Sequence, residues 1–250
     1  MIASILHTLG GVGLFLLGMI WLTEGLRGLS GDALRNALAR FTRTPYSGAV
    51  TGAIATAAIQ SSSATTVTAV GFVSAGLLTF PQALGVIFGA NIGTTITGWL
   101  VAILGFKLHL GEIVLPFVFL GALLRLFGGA RTSLVGTALA GFSLLFMGID
   151  AMQSGMAGFE GIVTPTSFPG DSLFGRLQLL IIGVAITLVT QSSSAGVATA
   201  LAALGAGAIN FPQAAAMVIG MDVGTTFTAA LATLGGATAA RRTGLSHVIY

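Results

Sequence analysis

Two short polar stretches interrupt an otherwise apolar sequence, and their side chains are the first candidates for chemistry. Gln60-Ser61-Ser62-Ser63 recurs as Gln191-Ser192-Ser193-Ser194, and an alanine follows each stretch. Serine is a favoured helix N-cap, and the free backbone N–H groups of a helix start carry partial positive charge. The two stretches therefore predict two helix N-termini that together hold an anion, and a tetrahedral oxyanion fits such a cradle.

A second pair of polar stretches follows the serine motifs after about 30 residues. Asn91-Ile92-Gly93-Thr94-Thr95 corresponds to Asp222-Val223-Gly224-Thr225-Thr226. Amide, hydroxyl and carboxylate oxygens are the hard ligands that Na⁺ prefers. We therefore predict that sodium is bound by oxygen-bearing side chains of both copies, namely Gln60, Asn91, Thr94, Thr95, Gln191, Asp222, Thr225 and Thr226. No other metal and no cofactor is expected.

These motifs belong to a duplication that covers most of the chain. Phe80-Pro81-Gln82-Ala83 recurs as Phe211-Pro212-Gln213-Ala214, and all the motifs share one offset of 131 residues. Over the 45 pairs that start at Gln60 and Gln191, roughly 19 are identical, far above chance even for a sequence rich in glycine and alanine. We therefore expect two structural repeats.

The composition predicts a membrane protein. Of the 250 residues, 54% are hydrophobic and only 7% are charged, and the mean hydropathy is +0.98, whereas soluble domains carry roughly 25% charged residues. Ten basic and seven acidic side chains cannot cover a soluble surface, which excludes soluble enzymes and nucleic-acid-binding proteins. The chain has no cysteine, and the spacing of His7, His109 and His247 is not that of metal ligands. We also do not expect a serine hydrolase, because neither copy has a histidine or lysine at membrane depth that could act as the base.

Segment lengths divide each copy into elements, since a hydrocarbon core of about 30 Å needs about 20 helical residues. The arms on either side of each serine motif have about 15 residues, which predicts re-entrant hairpins with tips at 60–63 and 191–194. The polar stretches at 91–95 and 222–226 predict that the helices 81–104 and 212–234 are broken. The segments predicted to cross the membrane are 4–22, 81–104, 110–127, 134–152 and 212–234.

The predicted fold is an all-α membrane protein with two inverted-topology repeats, each with a spanning helix, a re-entrant hairpin and a broken helix. Three crossings precede 134–152, so the second copy is inverted and the two tips converge near the membrane centre. The expected domains are repeat 1 (1–109), a connecting transmembrane helix (110–130), inverted repeat 2 (131–240) and the cytoplasmic start of a further segment (241–250). Arginines collect on one predicted face, which places the cytoplasm there and the N-terminus outside; they are Arg27, Arg35, Arg40, Arg43, Arg125, Arg131, Arg241 and Arg242.

Inverted repeats with interrupted helices are typical of secondary transporters. The doubled Gln-Ser-Ser-Ser motif and the Gly-Thr-Thr stretches after it resemble the sodium/phosphate cotransporter family, both its bacterial members and its type II renal and intestinal branch, from about Gly11 to Tyr250. The resemblance implies a bacterial inner-membrane symporter, not an enzyme, that moves inorganic phosphate inward with Na⁺. The serines of both tips are then expected to bind phosphate: Ser61, Ser62, Ser63, Ser192, Ser193 and Ser194.

Two departures from the family pattern leave alternatives open. Where the family has Ser-Asn before Ile-Gly-Thr, this chain has Ala90-Asn91 and Met221-Asp222, and the carboxylate of Asp222 either strengthens a cation site or changes the coupling ion. Many bacterial relatives continue into a PhoU-like helical domain, so a regulatory domain or protein of that kind is an expected partner, besides phosphate, Na⁺ and the bilayer. The alternative functions are a phosphate-sensing scaffold or channel, and a sodium-coupled carrier of another small anion.

Overall fold

Long apolar runs without internal proline form helices along the chain. The computed structural model describes residues 1–107, 110–159, 161–233 and 238–249, and every regular element within these ranges is helical. The elements are α1 (Ile2–Phe41), α2 (Pro45–Ile59), α3 (Ser62–Ser74), α4 (Phe80–Leu100), a π-helix (Val101–Lys107), α5 (Leu115–Phe127), α6 (Ala130–Ala157), a 3₁₀ turn (Pro165–Ser167), α7 (Leu173–Thr190), α8 (Ser193–Gly205), α9 (Phe211–Ala232) and α10 (Thr238–Ile249).

Four helical stretches within the described ranges are long and apolar enough to cross a membrane, in agreement with the composition. Each has at least 18 residues, about 27 Å of helix. The chain is therefore a multi-pass membrane protein. The four stretches are Ile2–Phe41, Phe80–Gly105, Ala130–Ala157 and Leu173–Thr190.

The chain divides into two compact units, and each contains one serine motif. Unit one comprises Met1–Gly25 and Gly98–Thr225, and unit two comprises Leu26–Thr97 and Thr226–Tyr250. In unit one, α1 and α6 run antiparallel because glycines seven residues apart on each helix let the backbones touch. Gly11 meets Gly148, and Gly18 meets Gly141. Small residues at such contacts are the usual basis of helix packing in membranes.

In unit two, the first hairpin (α2 and α3) packs on α4 through a row of glycines. Gly85, Gly89 and Gly93 of α4 lie directly against the backbone of Pro45, Ala49 and Ala53 of α2, so the two helices run parallel in register. Gln82 of the Phe-Pro-Gln-Ala motif donates to two carbonyl oxygens of the loop before α2 and accepts from Thr79. This motif therefore anchors the start of α4.

The second copy repeats this local packing within unit one. Gly220 and Gly224 of α9 lie against the backbone of Leu180 and Val184 of α7, which are the positions equivalent to Ala49 and Ala53. Gln213 anchors the start of α9 through Pro165 and Pro169 carbonyl oxygens, as Gln82 anchors α4. The duplication seen in the sequence is thus also a repeated helix arrangement, α2-α3-α4 and α7-α8-α9.

The predicted breaks in 81–104 and 212–234 are wrong within the described residues. α4 is a regular α-helix from Phe80 to Leu100, and α9 is regular from Phe211 to Ala232. The threonines do not interrupt the helices because their hydroxyls bond to the carbonyl groups of the preceding turn. The irregular backbone comes after the polar stretch of α4, as the π-helix Val101–Lys107.

Other predicted boundaries also differ from the structure. α1 is one helix of 40 residues, longer than the predicted 4–22, because no proline occurs before Pro45. α5 begins at Leu115 and not at residue 110, since Pro116 occupies its first turn, where proline starts a helix. Its 13 residues reach only about 20 Å, too short for the connecting transmembrane helix predicted over 110–130. The inverted arrangement was counted through that segment and stays a prediction.

Two further segments differ from their predictions, α7 in its length and residues 241–249 in their packing. α7 has 18 residues and is apolar enough to span, whereas a short arm over 177–190 was predicted. Residues 241–249, predicted as the start of a further segment, belong to α10, which packs against α3 within unit two. Thr243 and His247 are buried in that packing, while Arg241 and Arg242 are exposed.

Candidate functional site

The first serine motif forms a sharp turn between two helices. Gln60 ends α2 in the left-handed conformation, with φ 54° and ψ 34°. Ser61 is extended and caps α3, because its Oγ accepts from the Ala64 N–H at 3.2 Å. The helix therefore begins at Ser62, one residue into the triplet, and not after Ser63 as the sequence analysis predicted.

The second motif has the same local geometry in unit one. Gln191 is left-handed at φ 52° and ψ 25°, and it ends α7. Ser192 caps α8 by accepting from the Ala195 N–H at 3.2 Å. The prediction of a serine-capped helix start at both motifs is confirmed.

The serines of each motif have different parts in this geometry. The hydroxyl oxygens of Ser61 and Ser192 act as helix caps, so the two serines after each cap form the first turn of the helix, at the positive end of its dipole. The N–H groups of Ser62 and Ser63 have no carbonyl partner in the preceding turn, because they lie in the first turn of α3. Ser62 is 8% exposed and Ser63 is half-buried. Such N–H groups can bind the oxygens of an anion.

Gln60 connects the tip of the first hairpin to α4 through a side-chain hydrogen bond. Its side-chain Oε1 accepts from the Thr97 hydroxyl at 2.8 Å, and its Nε2 donates to the Ala57 carbonyl at 2.6 Å. Gln191 is exposed and donates to the Leu188 carbonyl at 2.7 Å. Of the two glutamines at the hairpin tips, both predicted sodium ligands, only Gln60 is seen to be held by a second helix, among the contacts of the described residues.

A buried hydroxyl chain joins the arms of the first hairpin. The Thr56 hydroxyl donates to the Thr65 hydroxyl at 2.9 Å, and the Thr65 hydroxyl donates to the Ser61 carbonyl at 3.2 Å. Both threonines are at most 1% exposed. This chain was not predicted from the sequence, and the only signal there is that Thr56 and Thr65 lie within five residues of Gln60 and Ser61.

The second hairpin lacks the equivalent hydroxyl chain between its arms. Thr187 occupies the position of Thr56, but Gly196 occupies that of Thr65. The Thr187 hydroxyl is buried, and within the described part of the chain it has no hydrogen-bond partner. A buried hydroxyl without a partner is costly, and the Thr66 hydroxyl of the first hairpin is in the same situation.

The predicted sodium ligands of the Gly-Thr-Thr stretches face in several directions. Thr94 and Thr225 bond to the carbonyls of Ala90 and Met221 at 3.0 and 3.1 Å, and Thr95 is exposed. Asp222 lies midway along α9 with its side chain exposed. Thr226 is buried in unit two. Hydroxyls that bond to their own helix keep lone pairs for a cation but are not aimed by the fold.

Asn91 has a partner that the sequence analysis did not assign. Its Oδ1 lies 3.2 Å from Nε2 of His247 on α10, a residue 156 positions away and only 2% exposed. Among the described residues, no group of three or more histidine, aspartate or glutamate side chains could hold a metal ion. His247 was passed over because it has no metal-ligand spacing with the other histidines. Sequence spacing carries no signal for a contact across the fold.

An exposed ion pair orders the start of α7. Arg176 Nε donates to Asp171 Oδ1 at 2.6 Å, and this hydrogen bond lowers the pKa of the Asp171 carboxyl. Ser172 caps the helix by accepting from the Gly175 N–H at 3.0 Å. Because both charged side chains are about half exposed, we assign the pair to helix capping and not to ion binding.

Comparison with known proteins identifies relatives over nearly the whole chain. The sequence profile described as Na⁺/Pi-cotransporter matches residues 14–154 and 172–247. The chain is 32% identical to the uncharacterized protein YqeW of Bacillus subtilis, over 94% of this chain and 75% of that protein. It is 29% identical to the "Putative inorganic phosphate export protein YjbB" of Escherichia coli, over 99% of this chain and 45% of that protein.

A more distant relative shares one segment. The chain is 43% identical over 60 residues to sodium-dependent phosphate transport protein 2A of Rattus norvegicus, which covers 24% of this chain and 9% of that protein. No solved structure matches the chain significantly.

Proposed function

Because the chain belongs to the Na⁺/Pi-cotransporter family, we propose that it is a secondary active transporter that moves inorganic phosphate across the bacterial plasma membrane together with Na⁺. The observation that carries the proposal is the repeated tip, a left-handed glutamine followed by a serine-capped helix, at Gln60-Ser61 and again at Gln191-Ser192. An anion carrier needs donors that replace the hydration shell of its substrate, and such helix starts supply them.

In this proposal phosphate is bound by the serine motifs of both copies. Within each unit, the first-turn N–H groups and hydroxyls of the two serines after the cap contact phosphate oxygens: Ser62 and Ser63 in unit two, and Ser193 and Ser194 in unit one. Ser61 and Ser192 shape the two helix starts. Phosphate carries one or two negative charges at neutral pH, so it gains from both the donors and the helix dipoles. The buried setting of Ser62 supports the assignment, because a dry environment strengthens such interactions.

Sodium binding is assigned to oxygen-bearing side chains near the motifs. Gln60 is fixed by Thr97 at the first tip, and the carboxylate of Asp222 offers the charge that a cation site needs. The hydroxyls of Thr94, Thr95, Thr225 and Thr226 and the amide of Gln191 complete the proposed set. Coupling follows if bound Na⁺ neutralises the charge that phosphate brings, so that the two ions bind better together.

The direction of net flow depends on the gradients. A carrier that binds both ions works either way, and an inward sodium gradient drives phosphate inward. The printed name of the relative YjbB refers to export, which the same reversible cycle permits when the phosphate gradient points outward. We therefore propose inward transport on the sodium gradient as the normal direction for this chain.

Uptake of radiolabelled phosphate into proteoliposomes tests the proposal. With Na⁺ outside we expect saturable uptake that unlabelled phosphate suppresses, whereas K⁺ outside and protein-free liposomes give background values. Equal uptake in Na⁺ and K⁺ would contradict sodium coupling, and sodium-dependent uptake of labelled succinate without uptake of labelled phosphate would indicate a carboxylate carrier. Phosphate binding without uptake would indicate a sensing scaffold, and uptake that never saturates would indicate a channel.

A further inference from the structure

Asn91, which is half-buried, and His247, which is buried, form a pair in unit two. Asn91 Oδ1 lies 3.2 Å from His247 Nε2, and the histidine is 2% exposed. A neutral imidazole donates from one nitrogen and accepts on the other. The Nε2–H group therefore donates to the amide oxygen of Asn91 and fixes the orientation of the amide.

The pair leaves two polar nitrogen atoms without a partner. Asn91 Nδ2 and His247 Nδ1 are buried, and no hydrogen bond reaches either of them from the described residues. Leaving a buried donor unpaired is costly, so the Asn91 amide calls for an acceptor that the described residues do not supply. The Nδ2 group of Asn91 is thus a buried hydrogen-bond donor that no described residue accepts from.

The histidine is held in place by the hairpin arm that starts at the serine motif. α10 packs against α3, and Thr243 and Gly244 share the buried face of α10 with His247. Thr243 is fully buried and bonds to the Ala239 carbonyl at 2.8 Å within its own helix. The position of His247 is therefore set by packing and does not depend on the contact with Asn91.

The unpaired end of the amide indicates which ion Asn91 serves. A sodium ion would use the amide oxygen, which has two lone pairs and already accepts one hydrogen bond from the histidine, but it would leave the buried Nδ2 donor unpaired. An oxyanion needs N–H donors, and the free Nδ2 group carries them. Asn91 precedes Thr97, which bonds to Gln60 at the tip, by six residues or about 9 Å of helix. A ligand at Asn91 would therefore lie along the hairpin and not at its tip.

We propose that His247 is a positioning residue that turns the amide donors of Asn91 toward the transported anion, which makes Asn91 a second phosphate contact along the path instead of a sodium ligand. This rests on the proposed function, since it assigns Asn91 to one of its two substrates. It replaces the assignment of Asn91 to sodium that the sequence analysis made.

The variant Asn91→Asp distinguishes a phosphate contact from a sodium ligand, because aspartate keeps an oxygen that can bind sodium and lacks the N–H donors that would bind phosphate. Binding of radiolabelled phosphate to the purified full chain is measured at saturating Na⁺, and the half-saturating sodium concentration is measured at fixed phosphate. We expect the phosphate Kd of Asn91→Asp to rise at least about tenfold, because the variant loses one hydrogen bond to a charged group and its new carboxylate repels the anion, with little change in the sodium curve. A lower half-saturating sodium concentration with an unchanged phosphate Kd would overturn the inference.

Variants of His247 test the positioning role. His247→Gln retains an amide N–H near the place of Nε2 and is expected to bind phosphate like the wild type, whereas His247→Leu should weaken phosphate binding several-fold. Thr243→Val, equally buried on α10, is the matched control and should change neither affinity. Equal phosphate affinities in His247→Leu and Thr243→Val would contradict the proposal.

The outcomes separate this inference from the proposed function. If the wild type binds no phosphate, the proposed function and the inference both fail. If the wild type binds phosphate and Asn91→Asp binds it equally well, only the inference fails. Elution of each variant as a single peak in size-exclusion chromatography controls for folding, and should His247→Leu not fold, Asn91→Asp and His247→Gln decide the question.

Discussion

Thr56 donates its hydroxyl hydrogen to Thr65 across the first hairpin at 2.9 Å, and both side chains are fully or almost fully buried. The contact joins the arm that ends at the serine motif to the arm that begins there. The second hairpin repeats the backbone geometry but has Gly196 in place of Thr65, so its arms lack this contact. The two tips are alike in shape but differ in how firmly the described side chains hold them.

The first prediction concerns this hydroxyl chain. Thr65→Val should lower the free energy of unfolding by about 1–3 kcal/mol, because it leaves the buried Thr56 hydroxyl without its acceptor. The double variant Thr56→Val/Thr65→Val should lose less than the sum of the two single variants, since no orphaned hydroxyl remains. Unfolding of the purified proteins in mixed detergent measures both effects, and strictly additive losses would argue against the chain.

The second prediction concerns the glycine row between α2 and α4. A Cβ atom on Gly89 would overlap the carbonyl group of Ala49, so Gly89→Ala should destabilise the protein by about 1–3 kcal/mol. Gly71 on α3 has open space around its Cβ position, which makes Gly71→Ala the matched control. That control should be neutral or stabilising by up to about 1 kcal/mol, as expected for alanine in a helix. Equal thermal stability of the two variants would contradict the close packing.

The third prediction separates capping from binding within one serine motif. Ser61→Ala removes the cap of α3 and should cost about 1 kcal/mol of stability. Ser63→Ala keeps the cap, so its stability should change by less than about 0.5 kcal/mol while its phosphate affinity falls. Melting temperature and phosphate Kd, measured on the same samples, distinguish the two effects. A large loss of stability in Ser63→Ala would show that this serine is structural.

The sequence predicted the local features of the site better than its contacts. The serine cap at Ser61 follows from residue type alone, and the repeat transferred it to Ser192. The left-handed conformation of Gln60 and Gln191 was not predicted, because glutamine has no preference for that region. The breaks predicted at Asn91 and Asp222 are wrong because polar residues were taken to interrupt a helix. In the structure, threonine hydroxyls bond back to the helix, and Gly93 packs flat against α2.

Contacts between distant residues could not be predicted from one sequence. His247 reaches Asn91 only because α10 packs on α3, and nothing in the spacing of either residue indicates that packing. The start of α5 at Leu115 was missed for a different reason: Pro116 marks it in the sequence, but the segment was bounded by its apolar run alone. Orientation in the membrane and the inverted arrangement stay predictions, and the arginine distribution supports them.

The fourth prediction concerns the carboxylate of α9. Asp222→Asn removes a charge from a proposed sodium ligand and should raise the half-saturating sodium concentration more than it changes the selectivity for phosphate over sulfate. The matched change in the first copy is Asn91→Asp, which should affect phosphate and not sodium. Sodium titration of phosphate uptake measures both. An unchanged sodium curve in Asp222→Asn would remove Asp222 from the sodium site.

Net phosphate movement under a sodium gradient alone tests the central claim most directly. Proteoliposomes are loaded with the same phosphate concentration inside and outside, and a sodium gradient is imposed in one direction or the other. We predict that phosphate accumulates on the side with less sodium and that the accumulation reverses with the gradient. Phosphate that stays evenly distributed under both gradients, in vesicles that still exchange labelled phosphate, would contradict sodium-coupled transport by this chain.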